Sequence, residues 1–185
     1  MKQLTFISGA SGAGKTYLAK SMQSEIGLGN CSVLGLDSYL KTRQERSALG
    51  VYHGYDTRSY DTKQLKADLF TLINRQEEIE VSEYVHGGGS SGRKVIMPTD
   101  HIIVEGVVAL YDEVIEPYRN LAHTIFIKIS DSMIFNVKVG ADVQRGLLSK
   151  YSIDDIMKTA NYYVAGYIEH CKDMSIKNAK QVINK

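Results

Sequence analysis

The chain has 185 residues, 43% hydrophobic and 23% charged, with a formal net charge of +1. That is long enough for one domain with a real core, spanning 1–185, and too short for two ordinary ones. The near-zero charge gives no reason to expect a nucleic-acid surface, and without a run of ~18 apolar residues there is no membrane span.

The N-terminus passes from Met1-Lys2 straight into Leu4-Thr5-Phe6-Ile7-Ser8, which reads as a short buried strand. A secretory signal would need a longer apolar stretch and a cleavage site, so a cytoplasmic chain is expected. Residues 9–16 follow as Gly9-Ala10-Ser11-Gly12-Ala13-Gly14-Lys15-Thr16 and fit G-x-x-x-x-G-K-[ST] throughout. Residues 17–26, beginning at Tyr17, read as a helix. A strand, a glycine-rich turn and a helix N-terminus form a triphosphate cradle. Glycines let successive backbone N–H groups aim at phosphate oxygens, and the helix dipole adds positive potential. Lys15 reaches the β- and γ-phosphates in such a loop, and the Thr16 hydroxyl binds Mg²⁺. Residues 9–16 and Tyr17 are therefore the candidate cofactor-binding set.

Cys31 to Leu36 is a second apolar run, and Asp37 follows it directly. A carboxylate there could accept a proton from an acceptor hydroxyl, bind Mg²⁺, or simply cap a helix over 38–48. Residues 61–64, Asp-Thr-Lys-Gln, look like a capping box opening a helix whose inward positions include Leu65, Leu69, Leu72 and Ile73. Residues 79–86 alternate like a strand. Residues 86–92, His-Gly-Gly-Gly-Ser-Ser-Gly, read as a loop between two strand-like segments. His101-Ile102-Ile103-Val104 is a buried strand ending at Glu105-Gly106, where Glu105 takes the place of a Walker B acid serving Mg²⁺. Thr124 to Ile129 is another strand. Ser130 and Ser152 cap the helices that follow, the second running toward Cys171. Residues 181–183 form a last strand. Cys31 and Cys171 lack disulfide or zinc spacing and read as free thiols.

This alternation predicts an α/β fold, a mainly parallel sheet with helices on both faces. Ligands in such sheets bind beyond the carboxyl ends of the strands. The glycine-rich loop, Asp37 and Glu105 each follow a strand and so meet at one edge. Lys138 and Arg145, on or near the helix after Ser130, are basic groups that could neutralise a transferring phosphoryl or simply lie on a solvated face.

Four stretches together resemble the uridine kinase–phosphoribulokinase family of P-loop kinases, uridine (uridine–cytidine) kinases above all. They are residues 9–16, Leu36-Asp37-Ser38-Tyr39, residues 104–112, and Gln144-Arg145-Gly146 with the long helix and Lys172-Asp173 beyond it. The resemblance implies ATP and Mg²⁺ as cofactors, a small acceptor-site β-hairpin and a helical lid. It implies Asp37 as general base, Glu105 with Thr16 on Mg²⁺, and Lys15, Lys138 and Arg145 on the transferring group. Tyr39, Asp56, Tyr84 and His86, together with Arg145, fall where that family binds its acceptor, a small molecule such as a nucleoside. Three departures mark the acceptor half. Thr57-Arg58 replaces a His-Pro pair, a Gly/Ser stretch replaces the base-contacting hairpin, and the lid is poor in arginine. The expected function is thus transfer of the ATP γ-phosphoryl to the 5′-hydroxyl of uridine or a related nucleoside. Another acceptor (a sugar phosphate, pantothenate or other small alcohol), or a nucleotide-binding protein with weakened catalysis, are the alternatives. A GTPase switch is disfavoured because no Asp-x-x-Gly or Asn-Lys-x-Asp string occurs. A homo-oligomer stays open.

Overall fold

The structure is a computed structural model and describes residues 2–51, 53–85 and 89–185. Its sheet has five parallel strands: β1 (Gln3–Gly9), β2 (Cys31–Gly35), β5 (His101–Glu105), β6 (Ala122–Lys128) and β7 (Gln181–Asn184). They lie in the order β2-β5-β1-β6-β7. β3 (Ile79–Val85) and β4 (Gly89–Ile96) form a separate antiparallel hairpin, with a register shift between Glu83 and Tyr84. The helices are α1 (Lys15–Ile26), α2 (Arg43–Ala48), α3 (Thr62–Phe70), α4 (Asp112–Ile115), α5 (Asp131–Gln144), α6 (Ile153–Tyr167) and α7 (Asp173–Asn178). None among the described residues is long and apolar enough to cross a membrane.

The central strands read as continuous apolar runs because a parallel sheet covered on both faces buries both sides of each strand. Phe6, Ile7, Ile102, Ile103, Val104, Phe126 and Ile127 are all fully buried. The register then aligns the chemistry. Ile7 pairs with Glu105 on one side and Gly35 pairs with Glu105 on the other. The carboxyl ends of β1, β5 and β2 therefore finish level, which sets the loop after Gly9, Glu105 and the turn holding Asp37 at one edge.

Local signals decide where the connections turn. Leu36–Tyr39 is a single 3-10 turn rather than the start of a helix reaching Ala48, and Leu40 then bridges to Tyr60. α2 begins later because Thr42 and Glu45 form a reciprocal capping box: Thr42 Oγ1 accepts from Glu45 N–H, and the Glu45 carboxylate accepts from Thr42 N–H at 2.8 Å. Asp37 thus caps no helix over 38–48. Asp61 caps α3 by accepting from Gln64 N–H, but the Gln64 side chain turns to Asp68 at 2.8 Å, so only half of the expected box forms. Leu65, Leu69 and Leu72 are buried as the spacing predicts, the last in a π turn over Thr71–Arg75. Of the predicted loop 86–92, residues 89–92 belong to β4 and 86–88 lie outside the described residues. Ser130 and Ser152 accept from Met133 N–H and Asp155 N–H, each 3.2 Å away, and cap α5 and α6. Both cysteines are free and buried.

Gly106 matters at the point where β5 leaves the sheet. A Cβ built there would lie 2.6 Å from Leu36 Cβ, so glycine is what lets the turn carrying Asp37 pack against the exit from Glu105. Gly106→Ala is expected to destabilise the fold by about 1–3 kcal/mol through overpacking. A urea titration reads this as a lower midpoint at unchanged slope; an unchanged midpoint would show that the turn and the strand exit separate freely.

Candidate active site

The glycine-rich loop joins β1 to α1. Gly12 and Gly14 sit at φ +78° and +90°, in the left-handed region that residues with a Cβ rarely adopt. Gly14 is also the N-cap of α1, with no side-chain cap and no acidic residue in the first turn. The first N–H groups of a twelve-residue helix are therefore left for an anion. Ala10 and Ala13 are buried beneath the loop. Tyr17, in contrast, is 78% exposed on the first turn of α1.

Lys15 is buried, and its ammonium donates to Ala10 O at 2.9 Å. Burial lowers its pKa, while the negative charges of Glu105 and Asp37 push it back up. Thr16 Oγ1 donates to Glu105 Oε1 at 3.0 Å, so the two predicted metal residues are adjacent. Burial raises the Glu105 pKa; Lys15 and the Thr16 hydrogen bond oppose that rise, and Asp37 adds to it. Asp37 is half-buried in the turn after β2, and its carboxylate makes no hydrogen bond within the described residues. An ammonium and a hydroxyl at the start of α1 and two carboxylates, one in the turn after β2 and one at the end of β5, thus share one small region. Their oxygens suit a hard cation such as Mg²⁺. Among the described residues no group of three or more His, Cys, Asp or Glu could hold a metal ion. A cation beside Thr16 and Glu105 would have to share its ligands with phosphate and water, as Mg²⁺ usually does.

A cavity of about 700 Å³ opens beside this pair, between α1, β2 and β4. Lys20 and Lys94 supply its cations, and the Lys94 charge reaches Glu105.

The acceptor side is arranged differently from expectation. The Tyr39 hydroxyl donates to Asp68 Oδ2 at 2.8 Å, and the ring is buried against α3. Asp56 is held by Arg58: Arg58 Nε lies 3.1 and 3.0 Å from its two oxygens, and Nη2 lies 2.6 Å from Oδ2. These bonds lower the Asp56 pKa. Arg58 is one of the two residues standing in place of a His-Pro pair, so the departure noted in the sequence falls on the candidate acceptor ligand Asp56 itself. Tyr84 is half-buried on β3, and His86 lies outside the described residues.

Lys138 and Arg145 are both drawn to one buried acid on their own helix. Lys138 Nζ lies 2.5 Å from Asp142 Oδ2 and 4.7 Å from the centre of the Tyr163 ring; Arg145 Nη1 lies 3.4 Å from Asp142 Oδ1. The residue of α5 that meets the loop is Val137, whose Cγ1 occupies the space a Gly12 side chain would need. Asp142 was missed at the sequence level, although its i+4 spacing from Lys138 was a readable signal.

Tyr55 was also missed as a loop residue. Its hydroxyl accepts from Ser11 N–H at 3.1 Å, linking the segment that carries Asp56 to the phosphate loop. Tyr111 donates to the Tyr55 carbonyl at 2.7 Å, and the Tyr163 and Tyr167 rings of α6 pack edge-on against Tyr55. Its place beside Asp56 was the only hint in the sequence.

Comparisons with known proteins identify the family and the fold. The Phosphoribulokinase / Uridine kinase family profile matches residues 5–185. The chain is 25% identical over 170 residues to a uridine kinase of Halobacterium salinarum, covering 90% of this chain and 74% of that protein. It is 25% identical over 158 residues to a uridine kinase of Limosilactobacillus reuteri, covering 82% and 68%. Among solved structures it resembles the phosphoribulokinase of Rhodobacter spheroides, with a TM-score of 0.68 at 12% identity over 98% of this chain and 70% of that one. It resembles the D-glycerate 3-kinase of Cryptococcus neoformans equally, with a TM-score of 0.68 at 12% identity over 99% and 86%. These two likenesses concern the fold. A glycine-rich loop at a helix N-terminus, a hydroxyl–carboxylate pair beside it and a family profile over nearly the whole length lead to one conclusion: the chain belongs to the phosphoribulokinase / uridine kinase family and is an ATP-dependent phosphotransferase acting on an alcohol group of a small molecule.

Proposed function

We propose that this kinase transfers the γ-phosphoryl group of Mg²⁺–ATP to the 5′-hydroxyl of uridine or a related nucleoside, residues 1–185 acting as one cytoplasmic kinase domain. The observation that carries the reading is the level ending of three parallel strands, with Glu105 and Asp37 close enough to act on the charge of Lys15, and Lys15 and Asp37 on that of Glu105. The named uridine kinases among its relatives support the nucleoside acceptor.

The roles follow from the chemistry of each group. The N–H groups of residues 9–16 and the α1 N-terminus hold the phosphates. Lys15 balances charge on the transferring group, and Thr16 with Glu105 holds Mg²⁺, which offsets the phosphate charge when bound. Asp37, whose carboxylate has no hydrogen bond among the described residues, lies at the same edge and takes the proton of the attacking hydroxyl. Asp56 receives the acceptor's vicinal hydroxyls once Arg58 swings aside. Arg145, the more exposed partner of Asp142, turns toward the phosphates, and Lys138 stays to hold α5 against Tyr163. Tyr39 shapes the acceptor wall from its bond to Asp68. The family resemblance assigns Tyr84 and His86 to the base. The Arg58 clamp on Asp56 also favours a second reading, in which the acceptor is a small alcohol other than a ribonucleoside.

Asp37→Asn is expected to lower kcat with uridine by about 10²–10⁴-fold while leaving the KM for ATP nearly unchanged, the usual size of a lost general base. Uridine-dependent ADP release measures both constants; turnover within a few-fold of the unaltered enzyme would rule Asp37 out as the base.

The pH profile of kcat/KM for ATP tests the cluster independently, because that ratio reports groups of the free enzyme. Glu105 must be ionised to serve Mg²⁺, and burial raises its pKa. Activity should therefore fall on acidification with a midpoint above the ordinary glutamate range. Lys15 must be charged, and burial lowers its pKa, so the alkaline limb should lie below the ordinary lysine range. Limbs at ordinary values would contradict the buried cluster.

A further inference from the structure

Tyr55 holds a position that the roles above leave unused. Its side chain is almost wholly buried, 1% exposed, yet its oxygen reaches the phosphate loop and accepts from Ser11 N–H at 3.1 Å. A phenol has one proton to give as well as lone pairs to receive with. Within the described residues the Tyr55 proton has no acceptor. A buried donor left unsatisfied costs free energy comparable to a lost hydrogen bond, so such a donor beside a ligand loop calls for a partner. Burial pushes the phenol well above its ordinary pKa, which keeps the proton on the oxygen throughout the working pH range. The group is a donor and never a phenolate facing phosphate.

Its position also selects among the phosphates. Ser11 precedes Gly12, on the arm of the loop away from Lys15 and the α1 N-terminus. Asp56, the next residue after Tyr55, belongs to the acceptor side. The phosphoryl group that passes between donor loop and acceptor is the terminal one. We propose that the Tyr55 hydroxyl, while accepting from Ser11 N–H, donates a hydrogen bond to an oxygen of the donor's terminal phosphate. It thereby serves as a γ-phosphate-contacting residue that ties the acceptor segment to the phosphate loop. The surroundings hold it for that task. Tyr111 fixes the Tyr55 carbonyl at 2.7 Å, and the rings of Tyr163 and Tyr167 lie 6.2 and 5.8 Å away, edge-on, leaving the phenol little room to swing.

The inference rests on residues 9–16 binding the nucleotide triphosphate, and its test separates the two. Calorimetric titration of Mg²⁺–AMP-PNP and of Mg²⁺–ADP into the unaltered enzyme and into Tyr55→Phe compares a ligand with the terminal phosphate to one without it. The substitution keeps the ring and its packing. Weakening of AMP-PNP by about tenfold or more, the size of a hydrogen bond to a charged group, with ADP affinity kept within twofold, is the expected result. Equal loss for both ligands would make Tyr55 a merely structural support of the loop and overturn the proposal. So would unchanged AMP-PNP affinity. Tighter AMP-PNP binding would mark the phenol as a plug that phosphate must displace, which also overturns it. Failure of the unaltered enzyme to bind either nucleotide would instead strike at the triphosphate reading itself, and the role of Tyr55 would fall with it.

Discussion

Lys15, only 8% exposed, carries a positive charge into the protein, and much of the fold can be understood as the means of keeping it there. A buried ammonium is costly unless opposing charge and hydrogen-bond acceptors surround it. Ala10 O supplies the acceptor, and the ends of β5 and β2 supply the charge through Glu105 and Asp37. The two carboxylates come from separate stretches of chain. They meet because parallel pairing sets Glu105 level with Gly35 on one side and Ile7 on the other. A one-residue slip in either pairing would turn alternate side chains to the wrong face. The sheet register and the charge cluster are therefore one constraint seen from two sides. The same cluster suits a polyphosphate with its metal, since the ammonium can face the phosphates while the carboxylates that hold it suit a hard cation.

A second arrangement sits above the loop. α5 presents Val137 to Gly12 and keeps both basic groups folded back on Asp142. α6 lays Tyr163 and Tyr167 against Tyr55, and Tyr55 reaches the loop. Donor and acceptor segments are thereby connected through aromatic packing rather than through the sheet.

The sheet and its edge were legible in the chain. Apolar runs of strand length, each ending at Gly9, at Asp37 or at Glu105, determine both the architecture and the meeting point of the charged groups. Signals within four residues were legible too, and two were passed over. Thr42 with Glu45 is a capping box that starts α2 after the 3-10 turn, and Lys138 with Asp142 is a helical ion pair. The Arg58 clamp on Asp56 was visible only as a departure from a familiar pattern, because which ligand a carboxylate prefers depends on side-chain geometry. The contact between Tyr55 and Ser11 spans 44 residues and depends on how the 53–60 segment folds over the sheet, which no local pattern encodes.

Phosphorus NMR of the enzyme with Mg²⁺, ATP and uridine tests the central claim most directly, because it identifies the phosphorylated product. The account predicts a growing uridine 5′-monophosphate resonance matched by ADP. ADP with inorganic phosphate alone, or a spectrum that does not change, would contradict it.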